Sequence, residues 1–129
     1  MMKRSLLLLV LACTVSAQDN NFQGTWEAKF KGTIFCILNI NESKEVSGSL
    51  VCGSLSVDDS GELTEVGAPG DRARMPLQQI KADERIMSFA VDDGDGPMKF
   101  EFRITGEERA ELRFLDAPQK INPIRFTRQ

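Results

Sequence analysis

Eight consecutive residues near the end of the chain, Met98-Lys99-Phe100-Glu101-Phe102-Arg103-Ile104-Thr105, alternate apolar with polar without a break. A period of two is what a strand shows when one face is buried and the other is wet, and helical spacing fits none of it. Trp26-Glu27-Ala28-Lys29-Phe30-Lys31 repeats the pattern near the other end. Once one face must be buried, register is tightly constrained, because a slip of one residue turns a whole strand inside out.

That constraint predicts pairings. The stretch from Phe22 to Gly53 reads as three antiparallel strands. A loop at Lys31-Gly32-Thr33 sets Phe30 opposite Ile34, Ala28 opposite Cys36 and Trp26 opposite Leu38. A second loop at Ser43-Lys44-Glu45 sets Ile40 opposite Gly48, Leu38 opposite Leu50 and Cys36 opposite Cys52. Later, Asp93-Gly94-Asp95-Gly96 closes a hairpin with Phe89 facing Phe100 and Met87 facing Phe102. Gly106-Glu107-Glu108 closes the next, with Phe102 facing Leu112 and Phe100 facing Phe114. Two apolar rows, Phe89/Phe100/Phe114 and Met87/Phe102/Leu112, then cross three strands on one packed face. Ile34 to Asn41 is apolar on both faces, with Phe35 and Ile37 on the second, so a terminus or a partner is expected to cover it.

Between these blocks the pattern weakens. Ser54 to Val66 carries a turn at Asp58-Asp59-Ser60-Gly61, and Gly67 to Arg74 reads as a loop by its glycines and proline. Gln78 and Ile80 are expected to face inward, Asp83-Glu84 turns the chain into Arg85 to Asp92, and Ile124 to Arg128 forms a last strand. About eight short strands joined by tight turns, with no helix-period segment beyond the first residues, define an all-β chain. An up-and-down antiparallel barrel, which removes exposed edges, is the expected architecture, with a β-sandwich as the alternative.

The first 17 residues read as a signal peptide. Lys3 and Arg4 precede the apolar run Leu6 to Ala12, and Val15-Ser16-Ala17 supplies the small residues a signal peptidase reads. The alternative is Val10-Leu11-Ala12-Cys13 as a lipoprotein box, with a lipid anchor at Cys13. The run is too short to span a bilayer. Cleavage after Ala17 leaves residues 18–129 as a single barrel domain, secreted or periplasmic, with Cys36 and Cys52 as its two cysteines. Export places the pair where disulfides persist, and a bridge is expected.

Charge and residue usage narrow the function classes. Sixteen basic against 19 acidic side chains give a net charge of −3, more negative still once Lys3 and Arg4 are removed, so nucleic acid is not an expected partner. The chain has no histidine, the commonest general base and transition-metal ligand, so Ser43, Ser47, Ser49, Ser54 and Ser56 lack the partner that would mark a nucleophile. No enzyme activity, cofactor or metal is therefore expected. Asp58-Asp59 and Asp92-Asp93-Gly94-Asp95 lack the spacing of an EF-hand and match ordinary turn chemistry.

At Phe22-Gln23-Gly24-Thr25-Trp26 the chain resembles the calycin-like barrels, a group that includes lipocalins, avidins and small secreted bacterial metalloprotease inhibitors. The resemblance implies that Trp26 plugs one end of a barrel beneath an arginine of the last strand, Arg125 or Arg128, with Arg125 the first choice. The chain has no tyrosine, so the Thr-Asp-Tyr motif of lipocalins is absent, and its single tryptophan leaves an avidin-like biotin site without aromatic walls. The segment Phe114 to Pro118 also resembles small exported bacterial proteins of unknown function, which implies no mechanism.

Inward positions on this reading are Trp26, Phe30, Leu38, Ile40, Leu50, Met87, Phe89, Phe100, Phe102, Ile104, Leu112, Phe114 and Phe126, with Ala28, Gly48 and Ala110 small. Free volume is expected toward Ala28 and Gly48, facing Phe89, Phe100 and Phe114. With Trp26 these form the candidate site for a small apolar or amphiphilic ligand. Arg72 and Arg74, on the glycine-rich loop, are the candidates for a second reading, a module or inhibitor that grips an exported protein target through its surface loops.

Overall fold

A computed structural model describes residues 21–129. The expected signal peptide and Cys13 lie outside the described residues.

Eleven strands follow in chain order: β1 (Gly24–Phe30), β2 (Thr33–Asn41), β3 (Ser47–Cys52), β4 (Leu55–Val57), β5 (Leu63–Val66), β6 (Met75–Pro76), β7 (Gln78–Ala82), β8 (Ile86–Asp92), β9 (Pro97–Gly106), β10 (Arg109–Phe114) and β11 (Ile124–Arg128). Nine of them form one antiparallel sheet in the order β6-β3-β2-β1-β11-β10-β9-β8-β7, and β4 and β5 form a separate hairpin. The two outermost strands, β6 and β7, are separated in the chain by Leu77 alone, whose N–H donates to Gly48 O at 3.0 Å. One bent stretch thus pairs with β3 through its first part and with β8 through its second. Counted as one stave, β6 and β7 bring the sheet nearly to closure as an eight-stave, up-and-down barrel, with the β4–β5 hairpin inserted after β3.

The alternating residues fill the barrel. Trp26, Ala28, Leu38, Leu50, Met87, Phe89, Phe100, Phe102, Leu112 and Phe126 are all buried in one cluster. The two expected rows are present in the pairings Phe89↔Phe100↔Phe114 and Met87↔Phe102↔Leu112. Phe100 stacks on Phe89 at 5.4 Å between ring centroids and meets Phe114 edge-on at 5.0 Å. Outward positions on β9 to β11 are charged and opposed in sign across the strands, as in Glu101↔Arg113, Arg103↔Glu111 and Glu111↔Arg125. Such exposed pairs each contribute little and mainly keep that wall wet.

Three expected placements are corrected. The β1–β2 connection is a two-residue turn, Lys31-Gly32, with φ of 51° and 85°. Positive φ at both positions matches the twist of the flanking strands. This turn pairs Phe30 with Thr33 and Lys29 with Ile34, not Phe30 with Ile34, and the ladder then shifts between Ala28 and Lys29 so that Ala28 meets Cys36 as expected. The extra residue is Phe35, and the bulge brings it into the core fully buried beside Cys36, so no terminus or partner is needed to cover it. Gln78 is exposed, not interior. Leu77 takes the inner face in its place, while Ile80 packs inward as expected, which requires an irregularity between them, seen as the register shift across Gln78–Lys81 and the φ of 52° at Gln79.

Cys36 and Cys52 are bridged, with Cα atoms 4.1 Å apart in directly opposed positions of β2 and β3. The bridge spans 16 residues of sequence. Closing a loop of that length stabilises by about 3 kcal/mol in the chain-entropy description.

Candidate functional site

The two ends of the barrel are built differently. At the end where β1 starts and β11 finishes, Trp26 is buried to 0 % exposure, edge-on to Phe102 at 5.1 Å, and its Nε1–H donates to Phe22 O at 3.0 Å. Arg128, the register partner of Trp26, holds its guanidinium 4.5 Å from the indole centroid. A cation over an indole face is attracted by the ring's quadrupole. The same guanidinium donates to Asn21 O at 2.8 Å and Gln23 O at 3.1 Å, and pairs with Glu108 at 3.3 Å. Gly24 makes this approach possible. Its φ is +132°, and a Cβ there would press on the Arg128 stem at 3.1 Å.

The residues before β1 complete the closure. Asn21 Nδ2 donates to Glu84 O at 2.8 Å, Phe22 N–H to Glu42 Oε1 at 2.6 Å, and Glu42 N–H to Gln23 Oε1 at 2.7 Å. Segment 21–23 therefore crosses this end and is tied to the β2–β3 and β7–β8 connections, with Phe22 1 % exposed beneath it. Arg125, the first choice for the tryptophan's cation, is corrected to Arg128. On β11 the inward residues are Ile124 and Phe126, so Arg125 is exposed on the outer wall opposite Glu111.

The opposite end is only partly covered. The β4–β5 hairpin folds toward β1 and is pinned by Asn122, whose N–H donates to Gly61 O at 3.0 Å and whose Nδ2 donates to Glu62 Oε1 at 3.0 Å. Beside it a cavity of about 240 Å³ opens to solvent, walled by Leu50, Met75, Val91, Met98, Phe100 and Phe114. We refer to it as the mouth. Its walls are mostly apolar, and two charged residues border it, Arg72 in the loop before β6 and Asp93 in the β8–β9 turn. Arg72 Nη1 donates to Cys52 O at 3.0 Å, which anchors the guanidinium to the disulfide-bearing strand. Larger depressions of about 400 and 460 Å³ lie at the closed end and on the exterior wall and are lined largely by charged and polar side chains. One of about 530 Å³ lies between the β4–β5 hairpin tip, the end of β1 and the start of β11, where Phe30, Phe35, Leu63 and Ile124 are mixed with Lys29, Glu62, Glu111 and Arg125.

The sequence candidates divide between these regions. Phe100, Phe114 and Arg72 meet at the mouth. Trp26 belongs to the closed end, and Ala28 is fully buried under the Cys36–Cys52 pair. Phe89 is 2 % exposed and lies behind Phe100. The expected space at Gly48 is corrected: a Cβ there would run into the carbonyl of Asn39, so this glycine serves a close backbone approach and borders no free volume. Arg74 is exposed and is not among the residues walling the mouth. Met75, Val91, Met98 and Asp93 escape sequence reasoning. Met98 opens the alternating run and can be found by carrying its inner face one step further.

The acidic turns use their carboxylates locally. Asp58 Oδ1 accepts from Ser60 N–H, Ser60 Oγ–H and Glu62 N–H at 2.9, 2.7 and 3.1 Å. The Ser60 hydroxyl first, then the backbone donors, hold its pKa below the ordinary 3.8. Asp92 Oδ1 accepts from Gly94 and Gly96 N–H. Among the described residues no three His, Cys, Asp or Glu side chains group as metal ligands would. No described helix is long and apolar enough to cross a membrane.

Comparison of the chain with protein-family models, with curated proteins and with solved structures gives no match in any of the three.

Proposed function

We propose that the protein is an exported binding barrel of calycin-like kind that takes a small apolar or amphiphilic ligand at the mouth and performs no catalysis. The observation that carries this reading is the inequality of the two ends. One is sealed by Trp26, Phe22 and Arg128, whereas the other leaves apolar side chains of the barrel interior facing a solvent-open cavity. Exposing apolar walls in this way forgoes burial worth about 25 cal/mol per Å². A cavity of about 240 Å³ sits just below the range of drug-sized sites, which suits a short chain or a single ring. Export is supported by the leader-like first 17 residues and by the Cys36–Cys52 bridge.

The test is titration of the purified protein with an environment-sensitive apolar dye, repeated on a Met98→Trp variant. Met98 is half-buried at the rim, so a larger ring there fills the mouth without entering the sealed end. Saturable binding that Met98→Trp removes, with the melting temperature retained, is the expected result. No saturable binding by the wild-type protein overturns the reading.

A further inference from the structure

We infer that the mouth selects a zwitterionic amphiphile, with its alkyl part against Phe100, Phe114 and Met98, its anionic group on Arg72 and its cationic group toward Asp93. This rests on the reading of the mouth as a ligand site. A mouth built for a neutral apolar molecule would need no charge at its wall, and one built for an anion would not carry a carboxylate as well as its arginine. Here both signs reach the same small cavity from two separate loops.

The two charges are held by different means. Arg72 spends one N–H on Cys52 O and its backbone N–H on Pro69 O at 3.2 Å, so the side chain is tethered while most of its five-donor fork remains for an anion's oxygens. Asp93 Oδ1 accepts from Asp95 N–H at 3.2 Å, which holds the carboxylate at the β8–β9 turn through one of its two oxygens. An ammonium near that turn and an anion near Arg72 satisfy both sides at once. A singly charged ligand meets one of them with the wrong sign.

Displacement of the bound apolar dye by four compounds with the same eight-carbon chain provides the test: octanol, octanoate, octylammonium and N-octyl sulfobetaine, each below its micelle concentration. The sulfobetaine is expected to displace the dye at the lowest concentration. Arg72→Gln and Asp93→Asn are each expected to weaken it by about tenfold, the scale of a hydrogen-bonded charge contact, and to leave octanol unchanged. Both positions are exposed, and the amide introduced by Asp93→Asn keeps an oxygen to cap the turn, so melting temperatures should not move. If octanol competes as well as the sulfobetaine, or if neither substitution alters the sulfobetaine, the selection by charge is wrong while the binding mouth stands. If the dye itself does not bind, both readings fall.

Discussion

The two ends of the barrel solve the same problem in opposite ways. At the closed end, the large aromatic groups are covered locally: Phe22 lies over the core, Arg128 over Trp26, and segment 21–23 is hydrogen-bonded to two connections and to Arg128. At the mouth, Met75, Met98 and Phe114 are left half-covered in front of the buried Leu50, Val91 and Phe100, although a whole hairpin, β4–β5, is folded nearby. A chain able to seal one end so fully had the means to seal the other. The difference locates stability at the first end and the adaptable surface at the second.

The largest effect expected from breaking this division is at Trp26. Trp26→Ala removes a buried indole, its edge contact with Phe102 and the seat of the Arg128 guanidinium, and should cost about 3 to 5 kcal/mol by denaturant unfolding. A much smaller loss would mean that the closed end is not where the fold is secured. Next comes the bridge. Replacing Cys36 and Cys52 together by alanine should cost about 3 kcal/mol, measured the same way against the oxidised protein. Because Cys52 also borders the mouth, dye affinity should fall in the same variant.

Gly48→Ala sharpens the comparison from the barrel wall. With the Asn39 carbonyl in the way, it should destabilise by about 1 to 3 kcal/mol through overpacking, without altering dye affinity. The pair Arg128→Gln and Arg125→Gln separates the plug from the outer wall. The first should cost about 1 to 2 kcal/mol from the lost cation–indole contact and carbonyl bonds, the second less than about 0.5 kcal/mol, by the same unfolding assay. The smallest effect is at the hairpin tip. Asp58 has a lowered folded pKa, so its contribution is present above the unfolded value near 3.8 and is lost as pH falls through the folded value below it. A carboxyl-carbon NMR titration should place its midpoint under 3.8, and Asp58→Asn should flatten that limb of the stability–pH profile.

Much of the barrel is legible in the sequence because period-two alternation and turn residues act locally. Met98 to Thr105 and Trp26 to Lys31 define their own faces, and those faces place Cys36 against Cys52 and Phe100 between Phe89 and Phe114. The details that escape are those where two local solutions give the same distant register. A three-residue loop, or a two-residue turn followed by a bulge, both set Ala28 against Cys36, and only the second carries Phe35 into the core. Arg128 is within reach of sequence reasoning, since Ile124, Phe126 and Arg128 share one face of the last strand, whereas Arg125 breaks that alternation. The mouth is harder. Its walls come from five strands and its charges from two loops, and no spacing along the chain brings Arg72 to Asp93.

The central claim is that the mouth is the ligand-accessible end. Its most direct test is a methionine-methyl NMR titration of the protein labelled with ¹³C at the methyl groups, using octanol as the probe. Met75 and Met98 line the mouth, whereas Met87 is fully buried in the sealed core among the rows around Phe102. The predicted result is saturable shifts of the Met75 and Met98 methyl signals, with Met87 and the Trp26 indole N–H unmoved. Shifts at Met87 and Trp26 that leave Met75 and Met98 in place would contradict it.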